Sequence, residues 1–204
     1  MEIARVLENK KKGQIYGLMG NINLTTNNES YGIISDYRFP GTIKEYLNSP
    51  KMLTSLKMVM LNETYLYKKA EDLSDSEIKK VSLAKALLEN KEYLIFDYFE
   101  KGFNYKEKEN FKRLFKKLTT EYQKTIVLFT NDIEFLWDIT DELILVSKDK
   151  VKTIPKSQIV DITSKLNKPE IIKFIDLMHS KNVDIEYYKN RLDLLKAIYR
   201  IKGE

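Results

Sequence analysis

Short, nearly continuous apolar runs recur along the chain at Gln14–Leu18, Ser30–Ile34, Tyr93–Phe96, Thr125–Phe129 and Glu142–Val146, each bounded by polar or turn residues. Such runs are read as strands. In YLIF, TIVLF and ELILV almost no polar residue alternates with the apolar ones, the pattern of strands covered by helices on both faces. Between them the period changes. Ile78, Val81, Leu83, Ala84, Leu87 and Leu88 form a wide helical stripe before YLIF, and Phe111, Leu114, Phe115 and Leu118 fall at i, i+3, i+4, i+7 after it. Strand, helix, strand, helix, strand predicts an α/β fold with a parallel sheet and crossover helices. After about Lys150 the texture shifts: Pro169 suits the first turn of a helix carrying Ile171, Ile172, Phe174, Ile175 and Met178, and a last helix carries Leu192, Leu195, Ile198 and Tyr199. The expectation is one α/β unit over residues 1–150 and a helical extension over 151–204.

Composition narrows the class. At 204 residues and 43% hydrophobic the chain supports one sizeable core, and no run approaches the roughly 18 apolar residues of a membrane span. The start, MEIARVLENKKK, lacks the apolar region of a signal peptide, and there is no cysteine, so a cytoplasmic location is expected. The net charge of +5 comes from 35 basic and 30 acidic residues. Because the lysines are spread out and alternate with glutamate, they read as a solvated surface, and no nucleic-acid partner is expected. A single histidine, His179, and no cysteine leave only carboxylates for a metal. His179 closes the helix-like run IIKFIDLMHS and is expected in its last turn.

Several stretches bear on chemistry. GQIYGLMGNINLTT runs from a strand into a loop with Gly17 and Gly20, continues through Asn21, and ends on Thr25 and Thr26, where a phosphate-binding loop would hand over to a helix. Alone it fits a turn equally well. In LSDSE, Ser74 followed three residues later by Glu77 is a capping box that starts a helix without any ligand. Asp97 alone could cap a turn, and Phe135, Leu136 and Trp137 suit core packing.

Taken in order, five blocks resemble ATP-binding cassette (ABC) ATPases. GQIYGLMG is similar to the entry of the phosphate loop, and YGIISDYRFPGTIKEYL to the Q-loop and the segment after it. LSDSE, with Leu73, Ser74, Asp75, Ser76 and Glu77, is similar to the signature that opens a helix ending in Ala84-Lys85-Ala86-Leu87. YLIFD, closing on Asp97, resembles the strand that carries the Mg²⁺-binding carboxylate. TIVLFTNDIEFLWDITDELILVSKDK resembles the switch-histidine strand, the next helix and the closing strand with its turn. The resemblance spans roughly residues 13–150. It implies a three-layer P-loop NTPase-like core with a mostly parallel sheet, with shortened antiparallel and helical subdomains.

The departures from the family pattern carry the functional expectation. A phosphate loop needs glycines for close backbone approach and a lysine for the β/γ-phosphates. NINLTT lacks the lysine and the second glycine, so Gly17, Gly20, Asn21, Thr25 and Thr26 form a degenerate set. Tyr98 stands at the position of the glutamate that activates water, and a phenol is a poor base at neutral pH. Asn131 replaces the switch histidine, Asp36 the Q-loop glutamine, Asn104 the D-loop aspartate, and Asp75 and Ser76 the signature glycines. The resemblance therefore implies a catalytically inactive homologue acting through protein contacts, in a heterodimer with an active ABC ATPase, with a membrane permease, or both. No cofactor is expected. Two alternatives stay open: a weak ATPase completed by a partner, in which Asp97 and Asp36 bind Mg²⁺ with ATP, and a soluble scaffold protein with no membrane partner.

Overall fold

The structure, a computed structural model, describes residues 2–147, 150–155, 169–187 and 191–202. Its frame is a six-stranded sheet with strand order β2-β3-β4-β1-β5-β6. The strands are β1 Ile15–Gly20, β2 Tyr31–Ile34, β3 Tyr93–Asp97, β4 Thr125–Phe129, β5 Glu142–Ser147 and β6 Lys150–Pro155. All neighbours pair in parallel except β5 and β6, which are antiparallel. The expected α/β fold with a mostly parallel sheet is the one observed. Each of the five strands read from the apolar runs is present, with ends moved by at most two residues.

Alternation along the strands sorts side chains onto two faces. Leu94 and Phe96 of β3, Ile126 and Leu128 of β4, and Leu143 of β5 point to one face and form the larger core. It is covered by α2 Ile43–Leu47, α3 Met52–Met58, α4 Asp75–Leu88, α5 Tyr105–Thr120 and α6 Ile133–Ile139. The expected stripe of α4 is buried at Ile78, Val81, Leu83 and Ala84, and that of α5 at Phe111, Phe115 and Leu118. Rings of Phe96, Phe99, Phe103, Phe111 and Phe115 meet with centroids 4.4–5.7 Å apart, which seats the turn after β3 on α5.

The opposite face is thinner. Tyr16, Leu18, Ile95, Val127, Ile144 and Val146 are covered by Ile3, Val6 and Leu7 of a five-residue helix, α1 Ile3–Leu7, with Ile22 and Leu24 of the following loop packed alongside. Tyr16 is buried here, and its hydroxyl donates to the Lys11 carbonyl and to Gln14 Oε1. Burial, followed by the nearby Glu142 carboxylate, pushes its pKa up to about 12.

Beyond residue 150 the sheet continues through β6 before any helix begins, so the stretch expected to be helical opens with a strand. Lys148 and Asp149, read from the sequence as a turn, lie outside the described residues, as do residues 156–168. The later helices are α7 Glu170–Ser180 and α8 Arg191–Lys202. The stripe expected on α8 is corrected: Leu194 and Ala197 face inward, whereas Leu192, Leu195 and Tyr199 are exposed. His179 sits in the last turn of α7 as expected, with its Nε2 2.6 Å from the Ile185 carbonyl.

Candidate functional site

The five parallel strands end on one edge. Pairing of Leu18 with Phe129, and of Asp97 with Phe129, brings the loop after β1, the turn after β3 and the residues after β4 side by side. In open α/β sheets this edge is where ligands bind.

The loop after β1 is not a phosphate cradle in form. No helix separates β1 from β2, so Thr25 and Thr26 do not stand at a helix N-terminus of the kind that faces an anion. The chain runs extended. Asn23 forms a parallel bridge with Glu2, and its carbonyl accepts from the Ile3 N–H. The Thr25 N–H and hydroxyl both donate to Asn23 Oδ1, the Asn28 N–H donates to Thr26 Oγ1, and the Ser30 N–H donates to Asn28 Oδ1. These are Asx and Ser/Thr turns that use up donors a phosphate would need. Asn21 is exposed. Gly17 lies in the middle of β1 rather than in the loop, where an added Cβ would meet Leu143, Thr140 and Leu136 at 3.0–3.2 Å. Gly20 has φ +121° and an added Cβ would lie 2.0 Å from the Val146 carbonyl oxygen. Both glycines are thus accounted for by packing of β1.

At the end of β3, Asp97 is half-buried. Burial, then the neighbouring Asp36, holds its carboxyl above the usual carboxylate range, while Lys79 and Lys101 pull the other way. Tyr98 takes a left-handed backbone conformation, φ +43°. Its ring meets Phe129 edge-on at 5.2 Å, the Lys101 ammonium lies 4.0 Å over it, and the Asn131 amide donates to its hydroxyl at 3.3 Å. Asn104, further along this segment, caps α5 by accepting from the Glu107 N–H.

At the start of α4 the capping box is present: Ser74 accepts from the Glu77 N–H, and Glu77 accepts from the Ser74 N–H. Leu73 and Ser76 are buried, and Ser76 Oγ lies 3.1 Å from Ser74 Oγ. Asp75 is paired with Arg38, whose NH1 also donates to the Ala70 carbonyl at 2.7 Å. Between this helix start and the β3 turn lies a cavity of about 220 Å³ bordered by Asp36, Asp75, Lys79, Asp97, Tyr98 and Lys101. Lys79, 3% exposed, forms its inner wall.

Relatives agree with this architecture. An energy-coupling factor transporter ATP-binding protein, EcfA2 of Mycoplasma capricolum, is 28% identical over 149 residues, covering 73% of this chain and 46% of its own length. EcfA3 of Oenococcus oeni, another energy-coupling factor transporter ATP-binding protein, is 26% identical over 163 residues, covering 76% and 56%. Among solved structures, cbiO1 of Clostridium perfringens, part of the ABC transporter complex cbiONQ, superposes with a TM-score of 0.60 at 16% identity over 81% of this chain and 88% of its own. The dimeric, post-hydrolysis ATP-binding cassette MJ0796 with ADP and Pi gives 0.59 at 20% identity over 71% and 87%. The fold is that of ABC ATPase cassettes, and the sequence is similar to energy-coupling factor transporter ATP-binding proteins. No protein-family model matches it, and it spans about half the length of the curated relatives it matches.

Placed on this ABC ATPase-like domain, the residues read from sequence divide in two. Asp36, Asp75, Asp97 and Tyr98 share one cavity, with Asn131 bonded to Tyr98. Gly17, Thr25 and Thr26 are spent on strand packing and local turns. Sequence reading missed Lys79, Arg38 and Lys101. For Lys79 a signal was present: Ser76, Lys79, Leu83 and Ala86 fall at helical spacing and are all buried, which puts a lysine in an inward stripe of α4. Among the described residues no helix is long and apolar enough to cross a membrane.

Proposed function

We propose that this ABC ATPase-like domain is a non-hydrolysing subunit that acts through protein contacts in an ABC transporter complex, at the cytoplasmic face of the membrane, beside an active ABC ATPase, a membrane permease, or both. The observation that carries this reading is the hydrogen bond from Asn131 to the Tyr98 hydroxyl. The two positions at which the family places its water-activating glutamate and its switch histidine hold a phenol and an amide that satisfy each other. Neither can take a proton from water at neutral pH.

The residues present do not fit a Mg²⁺–triphosphate. The loop after β1 spends its N–H groups of Thr25, Asn28 and Ser30 on side chains and leads into no helix. Mg²⁺ needs a near-octahedral oxygen shell, and among the described residues no group of three or more acidic or histidine side chains is arranged to hold a metal ion. Retention of the fold without the cradle supports a role in contact, and similarity to energy-coupling factor transporter ATP-binding proteins supports a transporter as its setting.

The test is Mg²⁺-dependent ATP turnover by the purified chain, with Asp97→Ala as the control. No saturable turnover above the control is expected; saturable turnover abolished by Asp97→Ala would overturn the reading. Co-purification of a second ABC ATPase or a permease is the expected partner result.

A further inference from the structure

We infer that Lys79 is the positioning residue of the strand-end site: by holding the first and last carbonyls of the turn after β3, it keeps Tyr98 in the left-handed backbone conformation from which the phenol meets Asn131. This rests on the non-hydrolysing reading, in which the Tyr98–Asn131 pair blocks the site, and it names what holds that pair in place.

Tyr98 has a φ of +43°. A Cβ makes this region unfavourable, and a bulky residue stays there only where its surroundings over-determine it. Here they do. On one side Asp97 is fixed in register with Phe129; on the other Phe99 is buried among the rings of Phe96, Phe103, Phe111 and Phe115. The backbone at Tyr98 has to join two anchored residues. Its N–H donates to the Phe129 carbonyl at 2.9 Å, and its carbonyl accepts from the Lys101 N–H at 3.1 Å, which closes the turn.

Lys79 supplies the tie to the helix layer. It leaves the inward stripe of α4 and is 3% exposed, and its Nζ donates to the Tyr98 carbonyl at 2.8 Å and to the Lys101 carbonyl at 3.1 Å. An ammonium has donors and no acceptor, so once buried it is satisfied only by groups such as these two carbonyls. Neither bond depends on a nearby carboxylate. Two hydrogen bonds from a buried ammonium contribute more than one non-glycine residue at positive φ costs.

The side chain follows from the backbone. Tyr98 sets its ring edge-on to Phe129 at 5.2 Å and under the Lys101 ammonium at 4.0 Å, with its hydroxyl 3.3 Å from the Asn131 amide. Relaxation to an ordinary negative φ would rotate Cβ about the N–Cα bond by roughly 100° and carry the ring away from Asn131. The contact that fills the strand end is therefore set from α4, one turn beyond the capping box.

Fluorine NMR of the whole chain labelled with meta-fluorotyrosine tests this, the Tyr98 signal being the one that Tyr98→Phe lacks. Lys79→Met removes both donors and should shift the Tyr98 signal toward those of exposed Tyr67 and Tyr105, while that of Tyr16, buried in the opposite core, stays in place. Lys80→Met is the control. Lys80 is a buried lysine of the same helix, but its ammonium pairs with Glu107 and not with the turn, so the Tyr98 signal should hold. A folded Lys79→Met protein with an unmoved Tyr98 signal overturns the inference, as does an equal shift in Lys80→Met. Should Lys79→Met lose the fold, with the Tyr16 signal moving too, wild type decides: the nitrogen signal of an isotope-labelled Lys79 side chain should couple across its hydrogen bonds to the carbonyl carbons of Tyr98 and Lys101, and absence of both couplings overturns it. Mg²⁺-dependent ATP turnover by wild type with these signals as expected sinks the non-hydrolysing reading alone; a Tyr98 signal indifferent to Lys79→Met, without turnover, sinks this inference alone.

Discussion

Arg38 reaches from the segment after β2 to Asp75 at the first turn of α4, with NH2 3.1 Å from Asp75 Oδ1, and secures the same helix start through the Ala70 carbonyl. Asp75 stands where the resemblance to ABC ATPases would put a signature glycine, and the Arg38 guanidinium answers the charge it carries. Both side chains are at least half exposed, and such pairs contribute about 0–1 kcal/mol. The carbonyl bond is the stronger link, because a charged donor to a backbone acceptor contributes about 1.5–3 kcal/mol. Arg38→Ala should therefore cost about 1–2 kcal/mol and Asp75→Asn less than about 0.5 kcal/mol. Urea unfolding of the two variants checks the order; equal losses would make the ion pair the main link.

Gly20→Ala should be the more damaging of the two β1 glycine substitutions. Its φ of +121° is closed to L side chains, and the new Cβ would lie 2.0 Å from a backbone oxygen of β5 that has no way to move aside. Conformational strain of about 1–3 kcal/mol adds to an overpacking cost of about 1–3 kcal/mol. At Gly17 the contacts are ends of the Leu143, Thr140 and Leu136 side chains at 3.0–3.2 Å, which can shift, so Gly17→Ala should cost about 1 kcal/mol. Chemical denaturation ranks them, and equal losses would show that β1 and β5 part more easily than their register implies.

The same contrast explains what was legible in the sequence. Strands and main helices were, because a buried parallel strand such as TIVLF and a stripe such as Phe111, Phe115 and Leu118 have periods that no other placement satisfies. The position of Asp97 at a strand end was legible for the same reason. The loop after β1 was not: Asn23, Thr26 and Asn28 build turns from side-chain acceptors, and the same residues would also suit the start of a helix. Nor was β6, whose Lys150, Val151 and Lys152 are exposed on an edge. Edge strands carry little hydrophobic pattern. On α8 the choice between Leu194 and Leu195 depends on the neighbouring α7, which local periodicity does not contain. The bonds of Lys79 to the Tyr98 and Lys101 carbonyls join α4 to a segment about twenty residues away, and only the stripe of α4 hinted at them.

Tyr16 predicts an alkaline weak point. Burial, then Glu142, pushes its phenol to about 12, whereas an unfolded chain ionises near 10. A raised folded pKa contributes stability that is fully present below pH 10 and is lost as pH rises through about 12, since over that window the unfolded state releases its proton first. Denaturation midpoints should fall over that range in wild type. Tyr16→Phe should show a flatter decline there, together with a lower starting stability because the hydroxyl no longer ties to Lys11 and Gln14. Tyrosinate absorbance during the titration gives the second readout. An unchanged alkaline slope in Tyr16→Phe would assign the loss to other groups.

Restoring the family residues at the two paired positions should not restore hydrolysis. In Tyr98→Glu with Asn131→His, a carboxylate and an imidazole replace the phenol and amide that now bond to each other, and Lys101, 4.0 Å over the Tyr98 ring, would take the new carboxylate as an ion partner. The general base would then be present in kind. On the non-hydrolysing reading phosphate binding would still be missing: in-line transfer depends on positioning and charge stabilisation of the γ-phosphate, and the loop from Asn21 to Ser30 has committed donors, no lysine and no helix behind it. Uniform loss of substrate binding cannot be recovered by a better base, because the base acts only on a bound complex. Turnover should stay at the Asp97→Ala background, with fluorescent-ATP binding unchanged from wild type. Saturable, Mg²⁺-dependent hydrolysis by the double variant would show that the loop holds phosphate after all, and that loss of the base alone had silenced the site.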